Sequence, residues 1–225
     1  MTNDAGESVI AIDGPSGSGK STIARGVAVA LDLQVLDTGA MYRAVALAAL
    51  EAGVGLDDEI GCAALARKHV IDVDSGVTRI DGRDVSAEIR GPDVTAAVSA
   101  VAAHPEVRTV LVAHQRAWVA EHGAGVVEGR DIGTVVFPAA RLKVFLTASD
   151  DERARRRQRD EVASARVVRV DDVRTALVRR DALDSGRAVS PLRPADDAVM
   201  VDTTDRDVDD VVAELVTRAR AAGIG

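Results

Sequence analysis

The 225-residue chain has one cysteine, Cys62, so it can form neither an internal disulfide nor a cysteine-rich zinc site. That usage fits a reducing compartment, and Cys62 reads as a small core residue. No apolar run approaches the roughly 20 residues that a membrane-spanning helix needs. Met1 to Ser8 is polar and acidic, without a signal-peptide pattern. A basic face is missing too: the formal net charge is -8, which disfavours general nucleic-acid binding. Lysine is rare, and arginine carries most of the positive charge. There is no internal repeat, no low-complexity linker and no dimerisation stripe. These absences predict a cytoplasmic monomer with no membrane or nucleic-acid partner.

Apolar residues make up 47% of the chain, enough for a sizeable core. The β-branched run Val9-Ile10-Ala11-Ile12-Asp13 predicts a strand. A Gly-rich turn follows, then a helix over about 20–31. Gln34-Val35-Leu36-Asp37 predicts a second strand, and an Ala-rich helix covers about 40–52. Two βα units in succession predict a parallel sheet. A helix is expected over about 56–68. Asp74-Ser75-Gly76 and Asp81-Gly82 then punctuate alternating residues, as hairpins do, so 69–85 reads as a small antiparallel sheet. Helices are expected over about 92–103 and 105–122, the latter opening on Pro105. Gly125-Val126-Val127-Glu128 and residues 141–146 read as core strands. An Arg-dense helix over 149–160, a break near 163–170 and a helix over 171–184 come next. A strand at 198–202 and a helix over 208–222 close the chain.

Gly14, Gly19, Lys20 and Ser21 satisfy G-x-x-x-x-G-K-[ST] between a predicted strand and a predicted helix. Glycines let consecutive N–H groups turn inward onto phosphate oxygens, and the helix adds its positive end. The loop Gly14, Pro15, Ser16, Gly17, Ser18, Gly19, Lys20, Ser21 and Thr22 is therefore expected to hold a nucleoside triphosphate. Lys20 would reach the β/γ-phosphates and Ser21 would ligate magnesium. Asp13 could touch the magnesium water shell or be a solvated turn carboxylate. The Asn-Lys-x-Asp guanine motif of GTPases is absent. Val126-Val127-Glu128 faintly resembles the acid-terminated strand of motor ATPases, but Arg130-Asp131 follow at once. The many later arginines suit a site that neutralises two phosphorylated substrates.

Four segments together resemble the bacterial cytidylate kinases over about residues 9–201. They are Ile12 to Ser21, Leu36-Asp37-Thr38-Gly39-Ala40-Met41-Tyr42-Arg43, Gly129-Arg130-Asp131-Ile132-Gly133-Thr134-Val135-Val136-Phe137-Pro138, and Gly186-Arg187-Ala188-Val189-Ser190-Pro191-Leu192. The resemblance implies an α/β P-loop fold with a central parallel sheet of about five strands. It implies a core of 8–57, 106–148 and 171–225, a monophosphate-binding insert at about 58–105 and an arginine-rich lid at about 149–170. It implies transfer of the ATP γ-phosphoryl to CMP or dCMP with Mg²⁺, in pyrimidine nucleotide metabolism.

Carried over residue by residue, Ser99, Arg108 and Asp131 would read the cytosine, whose exocyclic amine needs a carboxylate acceptor. Arg43, Arg130 and Arg187 would hold the acceptor phosphate, Arg180 and Asp184 the sugar hydroxyls, and Thr38 and Tyr42 the pocket wall. Lys20, Arg130, Arg156 and Arg157 are the candidates for the transferring group. A helix cannot aim Arg153, Arg155, Arg156, Arg157 and Arg159 at one ligand, so some must serve elsewhere. Three departures stand out: Thr38 where Ser is frequent, Glu128 where Asp is frequent, and a lid region, Asp160 to Val170, that is shorter or differently composed than the family's. A kinase for another small acceptor, a nucleotide switch and a nucleic-acid-associated ATPase are the competing readings.

Overall fold

A computed structural model describes residues 8–74, 76–163, 169–187 and 189–225. The expected break near 163–170 falls largely outside them, as do Ser75 of the first hairpin turn and Ala188 of the fourth family segment. Strand β1 (Val9–Asp13) runs into the phosphate loop and helix α1 (Lys20–Leu31). Strand β2 (Val35–Asp37) leads directly into α2 (Thr38–Ala52). This helix starts two residues earlier than its pattern suggests, because the Asp37 carboxylate accepts the Ala40 N–H at 3.0 Å and caps it. Helix α3 (Glu59–Lys68), hairpin strands β3 (Ile71–Asp74), β4 (Val77–Ile80) and β5 (Arg83–Asp84), α4 (Pro92–Val101) and α5 (Pro105–His122) follow. The chain then forms β6 (Gly125–Gly129), β7 (Leu142–Thr147), α6 (Asp150–Ala163), α7 (Val170–Ser185), β8 (Val199–Asp202) and α8 (Val208–Ala221).

Five strands form one parallel sheet, as anticipated, in the order β2-β6-β1-β7-β8, which the sequence did not specify, and β3-β4-β5 form a separate antiparallel sheet. Strand β1 lies at the centre. Val9 to Ile12 are fully buried, as expected of a parallel strand covered on both faces. Its side chains alternate. Val9 and Ala11 join a cluster with α2, α3, α4 and α5, while Ile10 and Ile12 join one with α1 and α8. The first cluster is continuous from the parallel sheet through Val73 and Ile80 of the hairpin to Val94 and Val98 of α4. The residues about the small sheet therefore share a core with β1, β2 and β6. At the hairpin tip, Asp81 and Gly82 take φ of 51° and 83°, the left-handed pair that a two-residue loop demands.

Between β6 and β7 the sequence pattern gave no hint of a π-type turn at Ile132–Val136. The Phe137 N–H reaches back five residues to the Ile132 carbonyl at 2.7 Å. Because β6 and β7 flank β1, this turn and the phosphate loop open side by side at the carboxyl edge of the sheet, where open α/β folds bind ligands.

Leu215 on α8 is fully buried in the cluster that covers α1. Leu215→Ala is expected to lower the unfolding free energy by about 2–5 kcal/mol, read from urea denaturation at constant slope.

Candidate functional site

One cavity of about 760 Å³ lies above that edge. Ser16 to Thr22 line one end, and Thr38, Tyr42, Arg43, Ser99, Arg108, Arg130, Asp131, Arg156, Arg157, Arg180, Asp184 and Arg187 line the rest. Of the phosphate-loop and substrate-site candidates, Gly14 and Pro15 are the two that are not part of this lining, and Asp13, Arg153 and Arg155 also lie outside it. Gly14 and Pro15 act through their carbonyls instead: Gly14 O accepts Arg130 Nη1 at 3.0 Å, and Pro15 O accepts Lys20 Nζ at 2.8 Å. Gly14 has no substitute in this geometry, since a Cβ there would sit 2.2 Å from the Leu146 carbonyl oxygen at a φ of 149°.

The charges around the loop are crowded. Lys20 is buried, and desolvation followed by the Arg130 charge lowers its pKa to about 7. Opposite it, desolvation and the Asp37 carboxylate raise Glu128 to about 7. Glu128 accepts the Ser21 hydroxyl at 2.9 Å. The sequence pointed to Glu128 only as a departure from Asp and as the end of a strand faintly like that of motor ATPases. Its position at the end of a buried apolar strand facing the phosphate loop was the signal that could have marked it. Ser21, Glu128 and Asp37 offer hard oxygen donors, and the strain on the paired carboxylates is of the kind a divalent cation relieves.

At the other end, Asp184 is 1% exposed and gathers three guanidinium groups. Arg130 Nε donates to it at 3.0 Å, Arg187 donates to its second oxygen, and Arg180 lies 3.9 Å away. Burial, then Arg130 and Arg43, lower Arg180 to about 9; burial, then Arg157, lower Arg43 to about 10. Arg43 is held from the side by the Ile89 carbonyl at 2.9 Å and the Thr95 hydroxyl at 3.0 Å. The arrangement is a basin of excess positive charge, suited to a phosphate.

Deeper in, Asp131 is ion-paired with Arg108, and both are buried. The Arg108 guanidinium lies 5.6 Å from the Tyr42 ring centre. Burial pushes the Tyr42 phenol up to about 12. Ser99, half-buried on α4, faces the same space. The Thr38 hydroxyl is donated to the Glu128 carbonyl at 2.7 Å, which ties α2 to β6.

The two candidate arginines of α6 are placed differently. Arg156 donates to the Thr203 hydroxyl at 2.9 Å and its carbonyl at 2.7 Å, and to Glu152 at 3.0 Å. Arg157 sits close enough to Arg43 and Arg180 to depress both. Thr203 itself bridges to the Ser18 carbonyl at 3.1 Å, a link that no motif announced.

Asp13 is neither solvated nor at a turn surface. It is buried and accepts the backbone N–H groups of Ile132 and Gly133, each at 2.8 Å. This bond joins the root of the phosphate loop to the π-type turn that follows Arg130-Asp131. Desolvation, the dominant cause, raises the Asp13 carboxyl from 3.8 to about 6. The folded protein thus retains a proton that the unfolded chain releases between these values, and this group's contribution to stability falls as pH rises through that window. Asp13→Asn cannot titrate, so unfolding measured from pH 4 to 7 is expected to lose that slope, a difference of up to about 3 kcal/mol between the pH extremes. Equal pH slopes in the two proteins would contradict the assignment.

A sequence profile described as Cytidylate kinase matches residues 10–221. A cytidylate kinase of Nocardia farcinica is 52% identical over 211 residues, covering 92% of this chain and 91% of its own. One from Mycobacterium avium is 51% identical with 92% coverage of both chains. A bifunctional pantoate ligase/cytidylate kinase of a Synechococcus strain is 49% identical over 92% of this chain and 40% of its own length. Among solved structures, an uncharacterized protein from Eubacterium ventriosum superposes with a TM-score of 0.53 at 13% identity, covering 95% of this chain and 98% of that one. TT1252 from Thermus thermophilus gives 0.50 at 17% identity, covering 97% and 99%; both likenesses speak to fold alone. A profile match over nearly all of the chain, with relatives at half identity along its length, makes this protein a member of the cytidylate kinase family.

Proposed function

We propose that this chain transfers the γ-phosphoryl group of ATP to CMP or dCMP, with the donor on the phosphate loop and the acceptor in the arginine basin. The observation that carries this reading is the single cavity that joins the two, with the buried Asp131–Arg108 pair at its deep end. Cytosine presents an amine beside acceptor atoms, and a carboxylate flanked by a guanidinium offers the complementary set. Residues 58–105 would embrace the monophosphate, and residues 149–170 would cover the donor. In the cell it would serve pyrimidine nucleotide metabolism as a cytoplasmic monomer.

The reaction needs no nucleophile from the protein. An oxygen of the CMP phosphate attacks the γ-phosphorus in line, the bond from the γ-phosphorus to its bridging oxygen breaks, and ADP leaves with that oxygen. The chain's residues position and neutralise. Arg43, Arg130 and Arg187 orient the acceptor phosphate. Lys20 and the inward-facing loop amides bind the triphosphate. Arg156, whose guanidinium lies beside Gly19 of the loop, and Arg157, whose charge is felt at Arg43, both line the cavity and would meet charge developing on the transferring group. Ser21 and Glu128 would hold Mg²⁺, which when bound with ATP neutralises β- and γ-oxygens.

ADP release with ATP and a panel of CMP, dCMP, UMP, AMP and shikimate tests the reading. CMP or dCMP should stimulate release most, and a flat response across the panel would overturn it. Lys20→Ala should cost at least about a hundredfold in kcat while the protein remains folded by circular dichroism. Asp131→Asn should lower kcat/KM for CMP by about a hundredfold or more and narrow the gap to UMP, because an amide can donate to the uracil O4 where the carboxylate cannot.

A further inference from the structure

We propose that the Arg153–Asp181 ion pair, which lies outside the cavity, is a positioning element that fixes the phosphate loop from its outer side. Arg153 belongs to the Arg-dense helix α6, yet it points away from the ligand space and is 5% exposed. It donates to Asp181 on α7, to Asp150 at 2.6 Å and, through Nη1, to the Ser16 carbonyl at 3.0 Å. Asp181 in turn accepts the Ser16 N–H at 3.3 Å. Both backbone polar groups of Ser16 are thus occupied by one ion pair. The contact extends to Gly17, with φ of 78°. A Cβ there would lie 2.9 Å from the Arg153 carbonyl oxygen, so α6 packs directly against the loop backbone.

This geometry has a physical purpose. A phosphate loop works only if its amides already converge before the ligand arrives. A loop whose outward groups were left to water would sample other turns, and triphosphate binding would have to reverse that disorder. The pair satisfies the outward groups, and its burial makes each charge dependent on the other. Asp181 also sits next to Arg180 and one turn before Asp184 on α7, both of which line the cavity. The same helix therefore grips the donor loop with one residue and faces the acceptor basin with its neighbours.

The proposal rests on the kinase reading only for its choice of assay. Asp181→Asn keeps an oxygen for Ser16 but sets an amide N–H₂ against the guanidinium. Arg153→Lys keeps a cation for Asp181 but loses the second guanidinium nitrogen, which binds Asp150, and its shorter reach loosens the hold of the first on the Ser16 carbonyl. Each should raise the ATP KM, and the ATP Kd by titration calorimetry, by about tenfold, with the CMP KM within about twofold of the parent. Asp181→Glu should recover part of the ATP affinity, and any fall in melting temperature in the other variants should leave the CMP KM unchanged. An unchanged ATP Kd in both variants, or ATP and CMP constants rising together with a large loss of melting temperature, would overturn the proposal. If Asp181→Asn does not fold, Arg153→Lys alone decides by the same split. If the parent does not phosphorylate CMP, the kinase reading fails while the ATP Kd comparison still decides this one.

Discussion

One buried carboxylate, Asp184, holds three guanidinium groups within a few ångströms of one another, and much of the site depends on that crowding. Like charges so close would scatter without a shared anion, and a single carboxylate cannot neutralise all of them. Burial, and with it this excess, depresses Arg180, Arg43 and Lys20, so the crowding extends across the cavity to the phosphate loop. A phosphorylated ligand completes an interaction that the protein leaves unbalanced. Beside the loop there is also a local imbalance of the opposite sign, where Glu128 accepts the Ser21 hydroxyl and feels the Asp37 carboxylate. Cation and anion deficits therefore lie side by side, a layout suited to a triphosphate that arrives with a divalent ion.

Much of this was legible in the amino-acid sequence because it is local. The strand–loop–helix around Gly14 to Ser21 follows from backbone rules, and so do the Asp-Gly hairpin and the apolar strands. The parallel sheet follows from the first two βα units, and its five strands from the family resemblance. Contacts between distant segments were not legible. Asp13 meets Ile132 and Gly133 across more than a hundred residues, and its burial is a property of the sheet order rather than of its neighbours in sequence. The π-type turn has no pattern of its own, because it exists where Asp13 captures its N–H groups.

The arginines of α6 show the same limit differently. Composition marked the helix as ligand-facing, and the constraint that a helix cannot aim every side chain one way was recognised. Which residue faces which way depends on the packing of α6 against α7 and the loop. Arg153 is drawn outward to Ser16, while Arg156, tied to Thr203, and Arg157 both line the cavity. Candidates taken from family likeness gathered at one cavity, but their separate tasks depend on partners such as Glu128, Asp181 and Thr203 that carry no motif.

The position of β8 and α8 has a consequence for how the protein comes into being. Ile23, Val27 and Leu31 of α1 are covered by Val211, Leu215 and Ala219, and Thr203 supplies the bridge to Ser18. All of these covering groups follow the phosphate loop at a long distance in sequence. During synthesis the phosphate loop leaves the ribosome well before them, and the apolar flank of its helix stays bare until they emerge. Vectorial growth thus delays a finished nucleotide site until β8 and α8 have been made, and a product truncated before them would carry the loop without its cover.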